Sequence, residues 1–205
     1  MTRVRHCTAF VAILVALVVV PISATNEQSQ KQPDNSQFAI LGVVIGQDDL
    51  GTLEKKLGPS KRCHTKEHVS IVGYTSGEVD LVFEFSEVGG GDITGFYLDH
   101  ASHLPNCSFS HLGTKVLATV GGTYLGMKEE AFLGAFGHPQ VKNKQGEWSY
   151  HWTWKEKLTE AEKQKAEIAT PGYAPSDGAI ASVDVKARFS KGMLQYFYIS
   201  KLEVT

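Results

Sequence analysis

One pattern is written twice along this chain, and it constrains the fold more than any other feature. Apolar residues 38–45 lead into Gly46-Gln47-Asp48-Asp49-Leu50-Gly51-Thr52-Leu53-Glu54-Lys55-Lys56-Leu57-Gly58-Pro59. Residues 116–125 lead into Gly126-Met127-Lys128-Glu129-Glu130-Ala131-Phe132-Leu133-Gly134-Ala135-Phe136-Gly137-His138-Pro139. Each copy has a glycine start, a short amphipathic segment and a glycine–proline stop. Asp48/Asp49 and Glu129/Glu130 place carboxylates in the first turn, where the helix dipole favours them. Leu50, Leu53 and Leu57 recur at helical spacing, as do Phe132 and Phe136. Gly58 and Gly137 suit a left-handed C-terminal position, and the prolines prevent continuation. Helices this short are marginal alone and need a sheet to cover their apolar stripe.

The sheet is visible in the residues after each helix. Val79, Leu81, Phe83 and Phe85 alternate with Asp80, Val82, Glu84 and Ser86, and a glycine turn at 89–92 leads into residues 93–98. Val183, Val185, Ala187 and Phe189 alternate with Asp184, Lys186, Arg188 and Ser190, and Ser190-Lys191-Gly192 leads into residues 193–199. A further strand precedes each pair, at 69–74 and at 147–155. Period two with one apolar face predicts antiparallel strands covered on one side. The expectation is an α+β fold of two tandem repeats, 38–104 and 105–205, each a short helix packed on an antiparallel β-sheet. Residues 156–181 form an inserted excursion in the second repeat. It carries a capping-box pattern at Thr159-Glu160-Ala161-Glu162 and breaks at Pro171-Gly172 and Pro175-Ser176-Asp177-Gly178. It reads as a solvated excursion or as a lid over a binding face.

Residues 1–24 belong to a different physics. Arg3 and Arg5 precede an apolar run from Ala9 to Val20, and Pro21-Ile22-Ser23-Ala24 comes next. That order reads as a secretory signal cleaved after Ala24, with an uncleaved anchor as the alternative, and the run is shorter than the roughly 20 residues of a membrane-spanning helix. No integral span is therefore expected after cleavage. Thr25 to Gln37 has no apolar residue and reads as a disordered lead-in. Losing Arg3 and Arg5 lowers the formal net charge from −2 to −4. Such a balance gives no electrostatic footprint for nucleic acid.

Two cysteines then remain, Cys63 and Cys107. In an exported chain they pair by default, closing a loop worth roughly 3–4 kcal/mol. Free thiols or metal ligation are the alternatives. Cys63-His64 with His68, and Asp99-His100 with His103, Cys107 and His111, carry ligating side chains. Their spacings match no zinc signature, so no metal or cofactor is expected. Nucleophile motifs are missing too. Gly73-Tyr74-Thr75-Ser76-Gly77 is one residue off a nucleophile elbow and reads as a strand and turn. Gly89-Gly90-Gly91-Asp92 is a hairpin turn with no helix after it to hold phosphate. Asn106-Cys107-Ser108 is a glycosylation sequon only in a eukaryotic secretory pathway. The chain reads as a non-enzyme, with a metal-dependent or hydrolytic enzyme as the disfavoured alternative.

The residues Gly126-Met127-Lys128-Glu129-Glu130, Phe136-Gly137-His138-Pro139, Trp148-Ser149-Tyr150, the charged-alternating strand and Gly192 resemble the SmpA/OmlA (BamE-like) envelope family. Two such units in tandem look like the fold of the secreted beta-lactamase inhibitor proteins. In the first copy Gln47 stands for the family's methionine and Val72-Gly73-Tyr74 for Trp-x-Tyr. No lipid-attachment cysteine is present, and an extra strand-like segment precedes each helix. The resemblance implies helices on antiparallel sheet and protein binding at the cell envelope or outside it, as an inhibitor-like binder or as an envelope assembly accessory.

The candidate site is in the second copy. Trp148, Tyr150, Trp152 and Trp154 project from one face of a strand. They are either core beneath the second helix or a partner-binding stripe. If they are core, the open face shows His151, Lys186, Arg188, Tyr196 and Tyr198, a mixture of rigid rings and cations suited to recognition of a protein partner.

Overall fold

The computed structural model describes residues 32–204 except 88–90, 101–103, 105–106, 158–159, 161–162 and 165–177, with backbone alone at 178, 203 and 204. The expected signal, most of the lead-in, the Thr159 capping box, the Pro171 and Pro175 breaks, Gly89, Gly90 and His103 lie outside the described residues. A 3-10 turn at Asn35–Phe38 opens the fold. Then come β1 (Ala39–Ile40), β2 (Val43–Val44), α1 (Leu50–Leu57), β3 (Arg62–His64), β4 (Ser70–Ser76), β5 (Val79–Phe85), β6 (Ile93–His100) and β7 (Ser110–His111). They are succeeded by α2 (Glu129–Phe136), β8 (Val141–Lys142), β9 (Glu147–Lys157), β10 (Gly178–Ser190) and β11 (Met193–Val204).

The helices form where their caps allow. Asp49 Oδ1 accepts the Thr52 N–H at 2.7 Å and starts α1. Lys128 gives α2 no side-chain cap, and Glu129 and Glu130 in its first turn supply the charge the dipole favours. Gly58 and Gly137 end the helices at φ of 90° and 75°, which few other residues adopt. Each helix start is held by the tip of the hairpin that closes its half. The Leu50 N–H donates to the Gly91 carbonyl at 2.9 Å, and the Glu129 N–H to the Gly192 carbonyl at 3.0 Å. Ile93 N–H to Asp48 and Leu194 N–H to Met127 are likewise both 2.9 Å.

Strands β3 to β11 make one mixed, almost wholly antiparallel sheet of nine, ordered β3-β4-β5-β6-β11-β10-β9-β8 with β7 beside β4, and β1 and β2 pair in a separate two-stranded sheet. The last strands of the two halves, β6 and β11, meet antiparallel at the centre, Tyr198 opposite Tyr97. One core serves both halves. Leu50, Leu53, Phe132 and Phe136 are buried in it with the inward residues of every long strand. A run of rings crosses the seam, Tyr74 to Phe83 to Phe96 to Phe197 to Phe132, with centres 6.0 to 6.2 Å apart.

Several expected boundaries move. Asp34 to Gln37, placed at the end of the lead-in, are ordered: Asp34 accepts the Ser36 N–H, and the buried Gln37 amide accepts from the Thr119 and Thr123 hydroxyls at 2.8 Å each. A buried amide needs such partners, and a polar sequence conceals them. The excursion is shorter than 156–181, because Lys157 pairs with Gly178 and Ala179 and Ala181 are buried sheet residues. The division at 104/105 also fails physically. Segment 107–112, assigned to the second repeat, lies against the first: β7 runs parallel to β4, and the Ser110 hydroxyl donates to the Pro59 carbonyl at 2.7 Å.

Candidate functional site

Cys63 and Cys107 are joined in a disulfide, with Cα atoms 5.7 Å apart. The bond ties β3 to the segment entering β7. Phe109 comes next, with its ring against the backbone of Gly73: a Cβ there would come within 2.2 Å of the ring. Ile71 and Val82, on the face of β4 and β5 away from the helices, are fully buried. On the first half of the sheet this back face is therefore covered.

On the second half the aromatic stripe settles which face is open. Trp148, Tyr150 and Trp152 are buried and Trp154 is half-buried, all on the helix side. Phe132 packs across Trp148 and Tyr150 with ring centres 6.3 and 6.1 Å away. The Tyr150 hydroxyl donates to the Gly137 carbonyl at 3.0 Å, and burial raises its pKa. Trp148, Tyr150 and Trp152 belong to the core, with α2 packed on Trp148 and Tyr150, Trp152 stacked on Tyr150 and Trp154 at the margin. Trp152 Nε1 is buried with no acceptor among the described residues.

The opposite face carries the other residues singled out in the sequence. Alternation along β9, β10 and β11 brings Glu147, Arg188, Tyr196 and Asp99 into one cross-strand row. Ser149, Lys186, Tyr198 and Tyr97 form the next row, and His151, Asp184 and Ser200 the third. Lys186 and Arg188 are exposed. Each lies over a tyrosine: Lys186 Nζ is 5.7 Å from the Tyr198 ring centre, and Arg188 Cζ is 5.3 Å from that of Tyr196. Tyr97 and Tyr196 pack at 6.0 Å. His151 Nδ1 is 2.9 Å from Asp184 Oδ1.

Acidic groups lie under the tyrosines. The Tyr198 hydroxyl donates to Glu84 Oε2 at 3.0 Å. Burial raises the Glu84 pKa against the opposing pull of that hydrogen bond and of Lys186. Burial also raises the pKa of Asp99, although Arg188 approaches to 3.6 Å. Both Tyr196 and Tyr198 have raised pKa values, first from burial and then from neighbouring negative charge, so their hydroxyls stay protonated donors. A shallow depression of about 500 Å³ opens beside them, lined by Glu147, Ser149, Lys186, Arg188 and Tyr196. Sequence reasoning gives no role to Tyr97 or Glu84, and treats Asp99 only as one of a group of ligating side chains. Their signal was the alternation of β5 and β6, but the β6–β11 pairing that brings them to this site is not encoded locally.

Two of the histidines singled out in the sequence have side-chain partners. His64 meets Glu87 at 3.1 Å, and Glu87, which also accepts from the Ser70 hydroxyl, has a lowered pKa. His111 meets Thr75 at 2.7 Å. Among the described residues no group of three or more His, Cys, Asp or Glu could hold a metal ion. No helix among them is long and apolar enough to cross a membrane. No family model, curated protein or solved structure matches this chain.

Proposed function

We propose that the chain is an exported, non-enzymatic protein-binding module of the envelope or extracellular space, built by tandem duplication, and that it binds a protein partner through the open face of its second half. The observation that carries the reading is the array of Tyr97, Tyr196 and Tyr198 topped by Lys186 and Arg188 on an exposed sheet face. Rigid rings and arginine are the usual anchors of protein interfaces. The matched hydrogen bonds at the two helix starts, and the mirrored strand order about β6 and β11, support duplication. The disulfide supports an oxidising compartment. The resemblance to the envelope family and to the inhibitor fold rests on sequence motifs.

The test is photo-crosslinking in the cells that make the protein. A photoreactive residue at Ser149 yields one dominant protein adduct, Arg188→Ala removes it, and the same residue at Lys55 on α1 yields none. With the captured partner purified, Arg188→Ala weakens binding tenfold or more at unchanged melting temperature. An adduct from Lys55 and none from Ser149, or undiminished affinity after Arg188→Ala and Tyr198→Ala, overturns the reading.

A further inference from the structure

The two halves of the sheet differ in how their outer strands are finished. In the first half the outer edge of β4 is filled twice: β3 pairs with it at Arg62–His64, and β7 runs parallel beside Tyr74 and Thr75. The Thr75 carbonyl accepts the Leu112 N–H at 2.8 Å, and Phe109 seats over Gly73. The corresponding strand of the second half is β9. Tyr74 donates to the carbonyl of Gly58, the residue that ends α1, and Tyr150 does the same to Gly137 at the end of α2. Ser149 thus stands where Gly73 stands, and His151 where Thr75 stands.

Here the edge is only partly filled among the described residues. β8 pairs with Trp148 and Ser149 alone, and the Gln140 side chain reaches the His151 carbonyl at 2.6 Å. From Thr153 onward β9 has a strand on its β10 side only, among the described residues. The outward backbone groups are set by parity. The Glu147, Ser149 and His151 carbonyls accept from the β8 side, so those of Thr153, Lys155 and Lys157, with their N–H groups, point the same way. The depression over Ser149 occupies the place that Phe109 takes over Gly73. Ser149 has a Cβ, so a ring there sits higher.

The charges specify the occupant. Lys155 and Lys157 are exposed on this edge and make no ion pair among the described residues, and the depression is bordered by two cations, Lys186 and the Asp99-paired Arg188, against one carboxylate, Glu147. Pairing two β9 edges antiparallel would crowd the lysines of both copies into one strip, which like charges oppose.

We propose that the second half of the sheet is completed by an extended acidic segment of a partner protein. The segment runs parallel to β9, hydrogen-bonds to the main chain of residues 153–157 and seats an aromatic side chain in the depression over Ser149. This rests on the reading that the face binds protein, and it names how: strand addition, with main-chain bonds giving affinity and side-chain seats giving selectivity. The chain's own segment 107–112 is the pattern for it.

The probe is the peptide Phe-Ser-Thr-Thr-Glu-Thr-Glu-Thr-Glu, titrated into the isotope-labelled protein and followed by NMR. The amides of Thr153, Lys155 and Lys157 shift, and their hydrogen exchange slows tenfold or more. The peptide N-methylated at alternate residues, and the version with lysine for glutamate, bind at least tenfold more weakly. The double replacement Lys155→Glu, Lys157→Glu reverses the preference between the acidic and basic peptides. Equal binding of the N-methylated peptide overturns strand addition, and equal binding of the basic peptide overturns the acidic assignment. Protection of these amides without peptide, rising with protein concentration, assigns the edge to a second copy and overturns the proposal. A captured partner that needs Arg188 but leaves these amides unprotected defeats this inference and leaves the face reading standing. A partner that needs neither defeats both.

Discussion

Replacing both Cys63 and Cys107 by serine tests how much of the fold depends on tying the inter-half segment down. The two residues are 44 apart in sequence. Releasing a loop of that length from the unfolded ensemble costs about 4 kcal/mol of stability by loop-closure entropy. The native side loses little, because β7, the Ser110 bond to Pro59 and the Ser76 hydroxyl bonds to the Gly113 and Lys115 carbonyls still hold the segment. A domain of this size has about 5–15 kcal/mol to lose, so the variant folds but with a thin margin. Urea denaturation reads the effect directly. With a slope of about 2 kcal/mol per molar, the midpoint falls by about 2 M at unchanged slope. Reductant shifts the unmodified protein by the same amount and the double variant not at all. A midpoint change below about 0.5 M would refute the reasoning. It would mean that the segment is already confined in the unfolded chain, or that the bond adds nothing to the contacts around it.

Three further perturbations probe the core and the covered face. Phe132→Ala removes the ring on which Phe136, Trp148, Tyr150, Phe189 and Phe197 converge, and costs about 3–5 kcal/mol in chemical denaturation; a loss below about 1 kcal/mol would place the core elsewhere. Gly73→Ala drives a methyl into the Phe109 ring, so hydrogen exchange rises across 107–112 while the β9–β11 amides keep their protection; unchanged exchange there would show that the ring is not seated. Glu84 has a raised pKa in the fold, chiefly from burial, so it prefers to be protonated there. It costs nothing at acid pH, and its penalty grows as pH rises through the ordinary carboxylate range toward the folded value. Glu84→Gln is therefore more stable than the parent at pH 8, and the gap closes on acidification; a gap that widens toward acid pH would reverse the sign.

The helices and most strands could be read in the sequence because their signals are local. Asp49 with Leu50 and Leu53, the Gly58 and Gly137 stops, and the alternation of β5 and β10 each fix a short segment without reference to the rest. The two open readings of Trp148 to Trp154 came down to whether α2 covers them, which spacing alone does not decide. What escaped is long-range. Pairing of β6 with β11 makes one sheet of two halves, and nothing in either strand names its partner. The return of segment 107–112 onto β4 had one local sign, a glycine inside the otherwise β-branched and aromatic run of β4, which marks a close approach of another chain segment. Asp34 to Gln37 looked disordered because their order comes from the Gln37 amide meeting Thr119 and Thr123, more than 80 residues away. On the candidate site, His151, Lys186, Arg188, Tyr196 and Tyr198 were legible as one face of alternating strands. Glu84 and Asp99 beneath them were not, since they reach it across the seam.

Recognition on the open face and edge of the second half leaves the helices only to support the sheet. Hydrogen exchange of the whole protein, free and bound to the partner captured through Ser149, tests it most directly. Exchange slows in residues 147–157, 180–188 and 195–199, centred on β9, with α1, α2 and β3 unchanged. Protection centred on α1 and α2, or on β3 to β5 with β9 unaltered, would contradict it.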